Sequence, residues 1–289
     1  MRIRATVAAA SGALALSAFA VPTAHADASS YRAEAAAAVS HAASGKTAFT
    51  ATTAADLDVT FSNFKVAKAI KVGTTNHVAT TVTYTLTHGA DVDITSEDFA
   101  NGPFLYKGSS DAPDNVLFGD DPATCTATSA TTADCKGNID IYPGPDDEEL
   151  WNSDAGTWHG GALALNYTTE DTAAQFGLGT TLVQRYSKLT VNASPEPVKK
   201  GKTITVTGKL TRANWEDHKY HGYTNQSVTL QFRKKGSSTY TTLKTVKTDS
   251  TGSLKTTTTA SADGYFRYSF AGTSTTPAVN AAGDYVDVQ

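Results

Sequence analysis

The stretch Val78-Ala79-Thr80-Thr81-Val82-Thr83-Tyr84-Thr85-Leu86-Thr87 decides the fold. Val78, Val82, Tyr84 and Leu86 share one face with Thr80, while Ala79, Thr81, Thr83, Thr85 and Thr87 fall on the other. A period of two is that of a half-buried strand. Working outward, Val59 and Phe61 begin a preceding strand. Leu163, Leu165 and Tyr167 mark a later one, and Leu182 to Tyr186 another. The chain is rich in Thr, Val, Ser and Gly, a composition that suits pleated strands and turns. Tyr31 to Ala43 departs from this pattern: its Ala run has helical composition but no evident apolar face. Residues 27–54 are therefore expected to be a mobile lead-in.

The C-terminal third repeats the alternation in Leu189-Val191, Ile204-Val206-Gly208-Leu210, Val228-Leu230-Phe232, Tyr240 to Thr248, Ser253 to Ala260, Phe266-Tyr268-Phe270 and Val286-Val288. Turn signals at Asp249-Ser250-Thr251-Gly252 and Asp263-Gly264 separate them. Seven short strands in roughly 100 residues are the pattern of an immunoglobulin-type β-sandwich. Ser194-Pro195-Glu196-Pro197 reads as a bend, because neither proline donates to a ladder. The expected organisation is all-β, two immunoglobulin-like β-sandwich domains in tandem, residues 55–187 and 188–289.

Ser187-Lys188-Leu189-Thr190-Val191-Asn192-Ala193-Ser194-Pro195-Glu196-Pro197-Val198, followed by Gly201-Lys202-Thr203-Ile204-Thr205-Val206-Thr207-Gly208, resembles a bacterial immunoglobulin-like domain. Gln231-Phe232-Arg233 and Asp263-Gly264-Tyr265-Phe266-Arg267 fit the same pattern. The resemblance covers residues 187–289 and is to modules of proteins exported by Gram-positive bacteria. It implies a spacer, adhesive or binding role and supplies no catalytic residues.

The N-terminus reports a compartment. Arg2 and Arg4 precede an apolar run from Val7 to Val21, and Ala24-His25-Ala26 forms an A-x-A site. That order is a secretory signal peptide, residues 1–26, with the mature chain starting at Asp27 and secreted to the extracellular space. No later run is long enough for a transmembrane span. In that compartment the only two cysteines, Cys125 and Cys135, are expected to form a disulfide.

Charge divides the chain. Residues 27–188 hold 9 basic and 21 acidic residues, a net of −12, and residues 189–289 hold 13 and 7, a net of +6. Between Asp91 and Asp154, 15 acids accompany only Lys107 and Lys136. Asp91, Asp93 and Thr95 alternate on one side of an extended segment, Asp98 follows, and Asp120-Asp121 and Asp146-Asp147-Glu148-Glu149 add loop carboxylates. Oxygen-rich sets of this kind suit Ca²⁺, with Asp91, Asp93 and Asp98 as the ligands; the alternative is a solvated acidic surface. The loop Trp215-Glu216-Asp217-His218-Lys219-Tyr220-His221-Gly222-Tyr223 offers a second site. Trp215, His218, Lys219, Tyr220 and Tyr223 suit stacking on a carbohydrate or contact with an anionic surface polymer or a protein. The alternative is that the rings fold back onto the core.

No G-x-S-x-G elbow or Cys–His arrangement is present, and the six mature histidines are scattered. The reading is a non-enzymatic, secreted binding or structural protein at or near the cell surface, with no nucleic-acid partner. The rival reading is a secreted hydrolase with its site in the acidic domain.

Overall fold

The structure is a computed structural model that describes residues 28–44, 57–146 and 149–289. The signal segment, Asp27, Asp147 and Glu148 lie outside the described residues. The chain is nearly all β. The first sandwich contains β1 (Val59–Lys65), β2 (Ala69–Val72), β3 (Val78–His88), β4 (Phe99–Ser109), β5 (Ala112–Phe118), β6 (Thr124–Ala127), β7 (Thr132–Ile141), β8 (Gly156–Asn166) and β9 (Thr172–Arg185). One sheet runs β1-β3-β7-β6 and the other β2-β9-β8-β4-β5, with β2 and β9 parallel.

The second sandwich contains β10 (Ser187–Leu189), β11 (Asn192–Ser194), β12 (Thr203–Asn214), β13 (Lys219–Gly222), β14 (Ser227–Lys234), β15 (Thr241–Lys247), β16 (Ser253–Thr259), β17 (Gly264–Phe270), β18 (Val279–Asn280) and β19 (Asp284–Val286). Strand β12 pairs with β10, β11, β13 and β16, and the facing sheet runs β15-β14-β17 with β18 and β19 on the far side of β17. Both sandwiches follow one immunoglobulin-like plan. Strand β3 pairs with β7 across a crossover, as β12 does with β16. Strand β4 lies between β5 and β8, as β14 lies between β15 and β17. A parallel contact closes each: β2 on β9 in the first, Val198 on Val288 in the second.

The expected alternation is realised in β3, where Val82, Tyr84 and Leu86 are buried and Thr83 and Thr87 exposed. It fails in β4 and β8. Ala100 to Tyr106 are buried without interruption, as are Gly160 to Leu165. Such continuous burial means that both faces of the sheet are covered. Leu105, Ala162, Ala164 and Trp158 face β1-β3-β7. Phe104, Tyr106, Leu163 and Leu165 face the other way, under a helix.

That helix corrects the sequence reading of Tyr31–Ala43 as lacking an apolar face. It is α1 (Ala28–Ser44), and it buries Tyr31, Ala35, Ala38, Val39 and Ala43. The spacing of about four residues is a helical stripe. Alanine on the exposed side as well hides that stripe from a hydropathy pattern, while alanine's high propensity favours the helix itself.

Candidate functional site

Five segments of the first sandwich bring polar side chains together at one end of α1. The helix supplies Arg32, the turn before β3 His77, the loop after β5 Asp120, the end of β7 Asp140 and Tyr142, and the loop before β8 Glu149. Arg32 spans two carboxylates, donating to Asp120 Oδ1 (3.1 Å) and Glu149 Oε1 (2.7 Å), and it also donates to the Asp140 carbonyl (3.2 Å). Tyr142 donates its hydroxyl to Asp120 Oδ2 (2.5 Å) and its N–H to Glu149 Oε2 (2.7 Å). The Asp120 N–H donates to Asp140 Oδ2 (3.1 Å), and His77 Nε2 lies 2.8 Å from Asp140 Oδ1. His77 stacks on Tyr142 with centroids 4.4 Å apart. The bond to Asp120 holds the phenolic proton and, with burial, pushes the Tyr142 pKa up to about 12.

The ligand atoms of His77, Asp120 and Asp140 lie within 4.8 Å of one another, near enough for a metal ion. Every oxygen of the three carboxylates already meets a partner, and the Arg32 guanidinium supplies the positive charge a cation would bring. As it stands, the cluster is a hydrogen-bonded tie of α1 to the sandwich. Beside it a polar recess of about 340 Å³ is lined by Asp121, Thr124, Lys136, Asn138 and Asp140. A second recess, about 450 Å³, lies between α1 and the β8–β9 turn among Glu34, His41, Tyr167 and Glu170.

The second constellation joins the sandwiches. Ala213 and Trp215, on the β12–β13 hairpin, belong to the core of the first sandwich. Trp215 is 1% exposed, and its indole N–H donates to the Gly73 carbonyl (2.9 Å). Asn152 ties to Asn214 (2.6 Å) and to the Trp215 N–H (3.1 Å). Gln184 donates to the Thr273 carbonyl (2.8 Å), and buried Arg185 donates Nε–H to the Ala213 carbonyl (2.6 Å). Burial, with Arg212 nearby, lowers the Arg185 pKa to about 10.

These placements settle where the expected site residues sit. Asp91, Asp93 and Asp98 are exposed on the β3–β4 loop, and their carboxylates do not form one of the groups close enough to share an ion among the described residues. Asp93 instead caps its own turn, accepting from the Thr95 N–H (2.9 Å) and hydroxyl (2.6 Å), which holds its carboxyl below the usual range. Val92 and Ile94 pack on the core, as the expected alternation requires.

In the aromatic loop the folded-back alternative describes the rings. Trp215 is buried, Tyr220 carries Lys188 Nζ 3.6 Å from its ring centroid, and Tyr223 packs on Arg212 and Phe270. His218 Nδ1 lies 2.9 Å from the Pro143 carbonyl, and His221 pairs with Asp217 (2.6 Å), so the histidines have separate partners. Lys219 remains exposed. The reason is the length of β12: it runs past its own sheet and carries the hairpin onto the neighbouring sandwich. Cys125 and Cys135 form the disulfide, directly opposite each other in β6 and β7. Sequence reading missed Arg32, His77 and Tyr142, since no local spacing links three residues brought together by separate segments.

No protein-family model matches the chain, and no curated protein does. Among solved structures it aligns with a marsupial T cell receptor at TM-score 0.35 and 12% identity, over 80% of this chain and 73% of that one. It also aligns with fibronectin(III)-like modules of Clostridium thermocellum CbhA at TM-score 0.28 and 11% identity, over 80% and 92%. The Escherichia coli adhesin FdeC aligns at TM-score 0.31 and 14% identity, over 80% and 65%. Likenesses this distant carry no argument about activity or partner. Among the described residues no helix is long and apolar enough to cross a membrane.

Proposed function

We propose that this chain is an exported, non-catalytic binding or spacer protein acting at or near a cell surface, with its two sandwiches working as one stiff unit. The observation that supports this reading is the clasp. Strand β9 ends at Arg185 and β10 begins at Ser187, so the sandwiches have almost no linker between them. Across that junction Trp215 enters the neighbouring core and Asn152, Gln184 and Arg185 bridge it. Interfaces within a chain are usually mobile unless they are large and apolar. An anchor as large as a tryptophan, seated in a desolvated pocket, is a device for holding a fixed presentation angle.

The test has two arms. Small-angle scattering of the secreted chain should fit a single interdomain geometry, and Trp215→Ala should broaden it. Sedimentation with purified cell-wall material should bring the protein down while leaving the polymer chain length unchanged. Release of small saccharides or peptides would replace this reading with the hydrolase. The His77–Asp140 pair beside the polar recess is where that chemistry would then be sought.

A further inference from the structure

The outer face of the β15-β14-β17 sheet carries a set of side chains that none of the roles above uses. Register places Arg233 of β14 beside Tyr265 of β17, Tyr265 beside Tyr285 of β19, and Gln231 beside Arg267. These side chains point away from the core, because the alternate residues Leu230, Phe232, Phe266 and Tyr268 pack into it. Cations and rings then interleave. The Tyr285 and Tyr265 centroids are 5.2 Å apart, the Arg233 guanidinium lies 4.1 Å from Tyr265 and 5.3 Å from Tyr240, and that of Arg267 lies 3.7 Å from Tyr240. All five side chains are partly exposed.

We propose that this ladder is a binding platform for a carboxylate-bearing polysaccharide. Arg233 donates to the Ser237 carbonyl (2.6 Å) and Arg267 to Gln231 Oε1 (2.8 Å). Among the described residues neither guanidinium has an ion pair, and each has more donors than one bond uses. A guanidinium matches a carboxylate with two parallel hydrogen bonds, which a lysine ammonium cannot reproduce. Tyrosine presents an apolar ring body to the C–H face of a sugar and a hydroxyl to its polar rim. Stacking fixes the arginine planes in advance, so less conformational freedom remains to be lost on binding.

The surface is an open sheet face and not an enclosed pocket, which suits one side of an extended chain. Charge complementarity favours an anion on this half, whose net charge is +6. The inference extends the binding reading by naming a partner class. Its failure would leave the rigid clasp, tested by scattering, untouched.

The experiment uses the whole secreted chain and titration calorimetry with oligogalacturonate, a neutral galacto-oligosaccharide of matched length and oligothymidylate. Oligogalacturonate should bind, more weakly as salt rises, and the neutral oligomer should not. The double variant Arg233→Gln/Arg267→Gln should lose at least about tenfold in affinity. The double variant Arg233→Lys/Arg267→Lys keeps the charge and decides the matter if the glutamine variant fails to fold. It should also bind at least about tenfold more weakly, since the planar fork is gone. No oligogalacturonate binding, equal binding of the neutral oligomer, tighter binding of oligothymidylate, or a lysine variant equal to the parent would each overturn the proposal.

Discussion

The two sandwiches share a strand plan and differ in what covers the same sheet face. In the first, the outer face of β4 and β8 carries Phe104, Tyr106, Leu163 and Leu165 and lies under α1. In the second, the corresponding face of β14 and β17 carries Gln231, Arg233, Tyr265 and Arg267 and has no helix over it among the described residues. One fold thus yields a buried face or an open one by changing only the outward half of an alternating pattern. The first sandwich also takes Trp215 into its core from the second. Its stability is therefore owed partly to elements outside its own strands, whereas the core of the second is assembled from residues 189–288 alone.

The sharpest way to break that asymmetry is Trp215→Ala. Truncating a fully buried tryptophan costs about 3–5 kcal/mol. The loss should fall on the first sandwich, although the residue belongs to the second. Calorimetry should show the first transition moving down and separating from the second. A second sandwich that melts earlier instead would reverse the dependence drawn here. Tyr31→Ala comes next, at about 3 kcal/mol, because it removes the largest ring with which α1 packs on β4 and β8. Hydrogen exchange should rise in α1 and the facing strands and stay unchanged in β14 and β17.

Replacing both cysteines, Cys125→Ser with Cys135→Ser, should cost about 2.5–3 kcal/mol in the chain-entropy account of a short loop. Thermal unfolding of the double variant should place that loss in the first sandwich only. A smaller effect follows from Tyr142. Its pKa is raised in the folded state, from about 10 to about 12. Its contribution is therefore full below pH 10 and is lost as pH rises through about 12. Denaturant titrations between pH 9 and pH 12 (roughly the span of that shift) should show this fall, and Tyr142→Phe should flatten it. The smallest expected effect is that of calcium. Because Arg32 and Tyr142 already satisfy the Asp120 carboxylate, and His77 and the Asp120 N–H that of Asp140, the first-sandwich midpoint in calcium should match that in magnesium at equal ionic strength. A rise specific to calcium would place an ion site in the acidic half.

How much of this was legible in the chain depends on the range of the interaction. The period-two pattern of Val82, Tyr84 and Leu86 fixes which side of β3 is inside, because burial of a strand is a local alternation. The Cys125–Cys135 pairing was readable from the number of cysteines and the expected compartment. The unbroken runs Phe104-Leu105-Tyr106 and Ala162-Leu163-Ala164-Leu165 carry a signal of double coverage that the reading of Leu163, Leu165 and Tyr167 as one strand face passed over, and what covers them is not legible at all: alanine is compatible with either face of a helix. The acids were correctly seen as dense in the first half, yet density does not specify convergence. Asp93 turned to its own Thr95, while Asp120 and Asp140 met from distant segments through the Asp120 N–H and Arg32. Trp215 read as a loop aromatic because nothing local records that β12 overruns its sheet. The sequence alone determined strands, disulfide partners and the charge of each half, all set by neighbours or by counts. The tertiary structure decided which outer face is covered, which carboxylates meet and where Trp215 is buried, because those depend on surfaces that become adjacent only after the strands have stacked.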